Sequence, residues 1–124
     1  MDFMVIAIKH KKSSYKSGLF AEWLARQYLR LHGYGILQSR YVTGRYTGRA
    51  EIDIIAQHKN IIVFIEVKNR PDAAAGIHAV TFSQGARLRR AAESYLARRR
   101  WTGDARFDIV VVSGLRIKWF KNAV

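Results

Sequence analysis

Two strongly apolar runs lie close together in this chain, Glu51-Ile-Asp-Ile-Ile-Ala-Gln57 and Ile61-Ile-Val-Phe-Ile-Glu-Val-Lys68, with only His58-Lys59-Asn60 between them. Their β-branched content and the polar turn predict an antiparallel hairpin, ended by Pro71. Charged side chains are rarely placed in a buried strand unless they are paired or bind a metal. Of the nine acidic residues, two, Asp53 and Glu66, fall in the interior of these runs. Alternation puts Glu66 and Lys68 on one face of the second strand and Val67 on the other. Pairing Gln57 with Ile61 sets Asp53 opposite Ile65 and beside Glu66, so two carboxylates and a lysine converge on one patch.

Around this hairpin the remaining elements read as follows. Residues 1–17 are basic and polar after Ile8, and are expected to form a flexible N-terminal arm; residues 18–124 form one domain. Leu19 to His32 has Phe20, Leu24, Tyr28 and Leu31 at helical spacing, stopped by Gly33. Tyr34 to Gln38 is a short strand, and Arg40 to Arg49, with Gly44 and Gly48, reads as a loop. A second helix covers Phe82 to Arg99, with Leu88, Ala91, Ala92, Tyr95 and Leu96 along one stripe. Phe107 to Ser113 is a β-branched run of the buried type, and Gly114 turns the chain into an edge strand, Arg116 to Lys121.

Lysine and arginine total 22, for a formal net charge of +13. A charge of that size calls for a polyanionic partner, and nucleic acid is the leading one because each neutralised phosphate releases counterions. The chain has no cysteine, which excludes disulfide scaffolds and thiolate zinc sites. The early apolar run Phe3 to Ile8 is too short for a signal-peptide core and no segment reaches the length of a membrane span, so a cytoplasmic protein with no membrane partner is expected.

Two carboxylates, a backbone carbonyl (here that of Val67) and waters are what a magnesium ion takes, with manganese as the alternative. Such an ion polarises a phosphoryl oxygen and acidifies a bound water, while Lys68 orients or deprotonates that water and offsets transition-state charge. Alone, Glu-x-Lys on a strand better fits a structural ion pair; the Asp on the preceding hairpin strand and the strongly basic chain favour the metal site.

The string Asp53…Glu66-Val67-Lys68 resembles the PD-(D/E)xK signature of restriction-endonuclease-like folds and archaeal Holliday-junction resolvases. More closely, the chain is similar to the YraN-type family of small bacterial proteins in that superfamily. The likeness runs from Gly18 to about Lys121. It is carried by Gly18-Leu-Phe-Ala-Glu22, Gly33-Tyr-Gly-Ile-Leu37, Glu51-Ile-Asp-Ile-Ile-Ala56, Phe64-Ile-Glu-Val-Lys68 and Arg106-Phe-Asp108. The resemblance implies an α/β fold, three layers with a mixed central β-sheet flanked by helices, and a magnesium-dependent phosphodiesterase (deoxyribonuclease) site. It also implies that Glu22 joins the site from the first helix. On a helical wheel Glu22 falls about 20° from Leu29, at the edge of the apolar arc, although a surface pair with Arg26 is the simpler alternative. The chain departs from the family at Ala50, where glycine is usual, and at Gln84, where lysine is common.

Arg40, Arg45 and Arg49 precede the Asp53 strand and Arg70 follows Lys68, positions suited to phosphate contacts. The second helix adds Gln84, Arg87, Arg89 and Arg90, with Arg98 to Arg100 beyond. Tyr41 and Tyr46 are candidates for stacking on bases. The histidines show no ligand spacing, and Trp23, Trp101 and Trp119 are expected to pack in the core or at its edge. The expected activity is metal-dependent hydrolysis of DNA, branched DNA included; charge alone does not separate DNA from RNA. The alternatives are a non-catalytic nucleic-acid-binding module on the same fold, or an interaction subunit of a DNA-processing complex. A junction resolvase would act as a homodimer to make paired cuts.

Overall fold

The computed structural model describes the backbone of residues 3–44, 49–71 and 82–123, and the side chains of that set other than 3–15 and 82–84. In chain order it comprises α1 (Phe3–Leu31), β1 (Gly35–Thr43), β2 (Ala50–His58), β3 (Ile61–Asn69), α2 (Phe82–Arg99), β4 (Asp104–Ser113) and β5 (Arg116–Phe120). The strands form one five-stranded sheet in the order β1-β2-β3-β4-β5. All neighbours are antiparallel except β3 and β4, which run parallel and are joined through α2. The sheet is therefore mixed, with a helix on each face, in agreement with the three-layer α/β architecture implied by the sequence resemblance.

Small residues let α1 lie close to the sheet. Ala21, Ala25 and Leu29, spaced by one helical turn, are buried against Ile54, Ala56, Val63, Ile65, Val110 and Val112. On the opposite face Leu88, Ala91, Ala92 and Tyr95 of α2 cover Tyr41, Ile52, Ile55, Ile62 and Phe64. Gly33, at φ 85°, ends α1 as expected, and the Tyr34 N–H returns to the Leu29 carbonyl at 3.0 Å. No helix among the described residues is long and apolar enough to cross a membrane.

Several boundaries differ from expectation. Helix α1 starts at Phe3 instead of Leu19, so the backbone of the expected arm is helical; nothing between Phe3 and Ser17 breaks a helix, and Gly18 is tolerated inside it. Strand β1 continues through Arg40 to Thr43, into the stretch that read as a loop. Tyr41 is consequently a core residue, edge-on to Tyr95 at 5.3 Å with its hydroxyl 3.2 Å from Ser94 Oγ, and is not free to stack on bases. Tyr46 and Arg45 lie outside the described residues. Strand β4 begins three residues earlier than expected, at Asp104, because its first residues pair in parallel with Ile61 to Val63. Trp101 and Trp119 pack beside the two cores, but Trp23 is 48% exposed and stacks on Phe20.

Candidate metal centre and nucleic-acid interface

The hairpin turn is tighter than expected. His58 pairs with Ile61 and Ile54 with Ile65, leaving Lys59 and Asn60 to make the turn, with Lys59 at φ 54°. This register is one step from the expected one and carries Asp53 past Ile65 to the level of Glu66. The β2–β3 ladder stops there. Ile52 belongs to the α2-side core and Ile54 to the α1-side core, although residues two apart on a regular strand share a face. The backbone of β2 must therefore rotate about Asp53. Arg40, which the β1–β2 register leaves opposite Asp53, is also irregular, with φ 55°.

Where β2 peels away, the Asp53 side chain takes over the lost ladder bond. Its Oδ2 accepts the Val67 N–H at 2.8 Å, in place of the main-chain partner that Ile52 would supply in this register. The N–H and C=O of a strand residue face the same neighbour. The Val67 carbonyl is therefore aimed at the Asp53 side of β3. Glu66 and Lys68 share the face of β3 that carries Ile62 and Phe64, under α2, as alternation required.

Asp53 and Glu66 lie at the same level of β2 and β3 and line a common cleft. Burial, then the hydrogen bond and charge of Asp53, push Glu66 up to about 9; Lys68 opposes this and Glu51 adds to it. A carboxyl held in its neutral form beside a second carboxylate has the chemistry of a cation site, since a divalent ion can take the proton's place. Among the described residues no three histidine or acidic side chains gather into a metal cage. Magnesium does not require one: it is commonly held by one or two carboxylates, with waters and substrate oxygens completing its shell.

Asp53 and Glu51 border two clefts, one on each side of the sheet edge. On the α1 side a cleft of about 580 Å³ is lined by Glu22, Arg40, Glu51, Asp53, Val67 and Arg70, among others. On the α2 side a cleft of about 230 Å³ is lined by Arg49, Glu51, Asp53, Glu66 and Arg87, with Ala50 and Leu88. Glu22 and Glu66 thus share Asp53 but occupy different sides. Glu22 pairs with Arg40 at 2.9 Å, across 18 residues of sequence, and not with Arg26 on its own helix. Of the basic residues expected at the interface, Arg40, Arg49, Arg70 and Arg87 line these clefts; Arg89 and Arg90 are exposed on α2 but border neither. Gln84 is on α2, with its side chain outside the described set. Sequence reasoning passed over Glu51, which lies two residues from Asp53 and 4.0 Å from Arg49; the same spacing that joins Glu66 to Lys68 was the available signal.

A second carboxylate, Asp108, is fully buried and structural. It accepts both Arg106 Nε and Nη2 at 2.8 Å, Trp119 Nε1 at 2.8 Å and the Asn122 N–H at 2.8 Å. Arg106 also donates to Tyr34 Oη at 3.1 Å, so this one carboxylate ties β4 and β5 to the start of β1. The Arg106 guanidinium is held further in its charged form, chiefly by Asp108.

The family model of UPF0102, an uncharacterised protein family, matches residues 21–112, a span that contains the whole lining of the α2-side cleft and that of the α1-side cleft from Ala21 onward. A UPF0102 protein of Paramagnetospirillum magneticum is 38% identical over 108 residues, covering 86% of this chain and 84% of the relative. One of Agrobacterium fabrum is 41% identical over 109 residues, covering 86% of each. One of Shewanella amazonensis is 38% identical over 108 residues, covering 86% of this chain and 96% of the relative. This is the YraN-type family, with its PD-(D/E)xK nuclease-like pattern, that the sequence fragments resemble. The chain belongs to the UPF0102 family.

Proposed function

We propose that this protein is a metal-dependent phosphodiesterase that acts on DNA. The observation that carries the reading is that Asp53 and Glu66 line one cleft at the point where β2 leaves β3, with Glu66 pushed up to about 9. Asp53, Glu66 and the Val67 carbonyl would hold magnesium or manganese, and the ion would supply polarisation of the phosphoryl oxygen and an acidified water. Lys68, close enough to Glu66 to favour its charged form, orients or deprotonates the attacking water and offsets charge building on the phosphoryl oxygens. Glu22 contributes a further acidic group from the α1 side. Arg40, Arg49, Arg70 and Arg87 contact the phosphate backbone on either side, with Gln84, Arg89 and Arg90 extending that surface along α2. Branched DNA is the favoured substrate by the family likeness, paired cuts would need a homodimer, and the cytoplasm is the expected location.

The test is cleavage of labelled linear, flapped, single-stranded and four-way DNA with magnesium or manganese, comparing wild type with Asp53→Asn. Metal-dependent cuts that disappear in the variant are expected. A second reading, a binding module without turnover, is favoured by one observation: Arg40 and Arg70 line the α1-side cleft, which Glu66 does not border. No cutting by either protein, together with salt-sensitive binding by both, would select it.

A further inference from the structure

Three large apolar side chains stand in the open on α1. Leu19 is 37% exposed, Phe20 49% and Trp23 48%, and the Phe20 and Trp23 rings lie 6.0 Å apart and 17° from parallel. Single apolar residues scattered on a surface need no account, but a contiguous patch with two aromatic rings marks a binding face. The patch lies on the side of the helix away from the sheet, because Ala21, Ala25 and Leu29 turn the other side into the core. Leu19, one turn before Trp23, lines the α1-side cleft, whereas Phe20 and Trp23 line neither cleft. The ring pair is therefore outside the site at Asp53 but continuous with its rim. Cations surround it: Lys16 is one turn before Phe20, and Arg26 and Arg30 follow Trp23 by three and seven residues, on or near the same face. Glu22 is the one acid in the α1 sequence. Flat apolar faces among basic side chains fit a nucleobase and its phosphates. A second copy of the chain fits worse, since a twofold axis through this face would set Lys16, Arg26 and Arg30 against their own copies.

We propose that Phe20 and Trp23 form a stacking platform for an unpaired base of single-stranded DNA. The inference rests on the nucleic-acid part of the function proposed above, not on hydrolysis, and names strands with unpaired bases as the class of DNA bound. In a duplex both faces of a base are covered by neighbouring pairs, so a platform on the outer side of a helix serves only a base that has left its pair. Arginine contacts to phosphate hold paired and unpaired strands alike. The ring pair is what distinguishes them. Trp23 supplies the larger face and Phe20, stacked beside it, fixes its orientation.

The experiment measures binding in chelator, so that no strand is cut, by anisotropy of a labelled thymidine strand, an abasic strand of equal length and a blunt duplex. Wild type, Trp23→Ala, Phe20→Ala and Trp23→Phe are compared across about 50 to 200 mM salt. Trp23→Ala should weaken binding of the thymidine strand by roughly fivefold or more, without changing the salt slope, because a stacked base releases no counterions. Phe20→Ala should weaken it less. Neither should change binding of the abasic strand or the duplex. Trp23→Phe, which keeps a ring, should keep most of the affinity. The thymidine strand should also quench tryptophan emission in wild type, and the abasic strand should not. Trp23→Phe should remove that quenching, since Trp101 and Trp119 pack beside the two cores. Equal losses on the thymidine and abasic strands, or no loss on either, would overturn the platform. So would a wild-type dimer that Trp23→Ala converts to monomer with its strand affinity intact, which would assign the face to a second copy. Salt-sensitive binding that ignores Trp23 rejects the platform alone. Wild-type binding to none of the three DNAs rejects the nucleic-acid reading as well.

Discussion

Glu66 has an ordinary carboxyl value of 4.5 when exposed and about 9 in the folded chain. Below 4.5 both folded and unfolded chains hold its proton, whereas between 4.5 and about 9 only the folded chain does. The stabilisation from this group is therefore complete at low pH and is lost as pH rises through about 9. In chelator, the thermal midpoint of wild type should decline across that interval, and Glu66→Gln should remove this part of the slope. Parallel profiles for the two proteins would show that Glu66 is not held protonated. A cation at the pair must displace the proton, so magnesium affinity should rise with pH and binding should release protons, measured by calorimetry in buffers of different ionisation enthalpy. Asp53 has a separate structural duty, accepting the Val67 N–H at 2.8 Å. Asparagine can still accept that bond through its amide oxygen, but alanine cannot. Asp53→Asn should unfold in urea near the wild-type midpoint, while Asp53→Ala should lose about 1–2 kcal/mol. Equal losses in the two variants would mean that the charge, not the hydrogen bond, holds β2 to β3 at this point.

At the scale of elements, the β4–β5 hairpin and its tie to Tyr34, just before β1, depend on one buried acid. Asp108 has no exposed side-chain surface and accepts four hydrogen bonds from Arg106, Trp119 and Asn122. Replacing it with alanine leaves the half-buried Arg106 without its partner, and should cost about 3–5 kcal/mol in a urea titration. Retention of stability within experimental error would mean that β5 is held by Trp119 packing alone. Gly103 is a second constraint: a Cβ there would lie 2.6 Å from the Asn60 carbonyl oxygen, the same atom that accepts the Asp104 N–H at 2.9 Å. The hairpin turn and the start of β4 thus need glycine for contact. These elements were legible in the sequence to different degrees, for physical reasons. The β2–β3 hairpin and the α2 stripe announce themselves because burial is periodic along the chain. The first half of α1 has no such stripe to read, and Gly44 and Gly48 drew a loop boundary across residues that β2 recruits into β1. Asp53 and Glu66 were legible as acids out of place in apolar strands. The Glu22–Arg40 pair was not, because packing of α1 across the sheet creates it and no local spacing encodes it.

At the scale of the whole molecule, the net charge of +13 predicts a steep fall of nucleic-acid affinity with salt, but charge alone does not say which arginines guide a strand to the carboxylates. The three-layer architecture does, because it orients α2. Leu88, Ala91, Ala92 and Tyr95 bury one stripe of that helix. Arg87 then flanks the stripe on the side that borders Glu66 and Asp53, while Arg90 faces away from the sheet. Both should contribute to non-specific attraction, so Arg87→Ala and Arg90→Ala should each lower the salt slope of DNA binding by at most about one. Their effects on chemistry should differ. A phosphate held by Arg87 is held next to the reacting group, and misplacement there is amplified in rate, whereas a contact at Arg90 is remote from it. Under saturating DNA with magnesium, Arg87→Ala should slow cleavage by roughly tenfold or more, and Arg90→Ala should leave the saturated rate near wild type. Equal rates for the two variants would place the path of the strand elsewhere than the α2-side cleft, and the α1-side cleft with Arg40 and Arg70 would then be the route to the carboxylates.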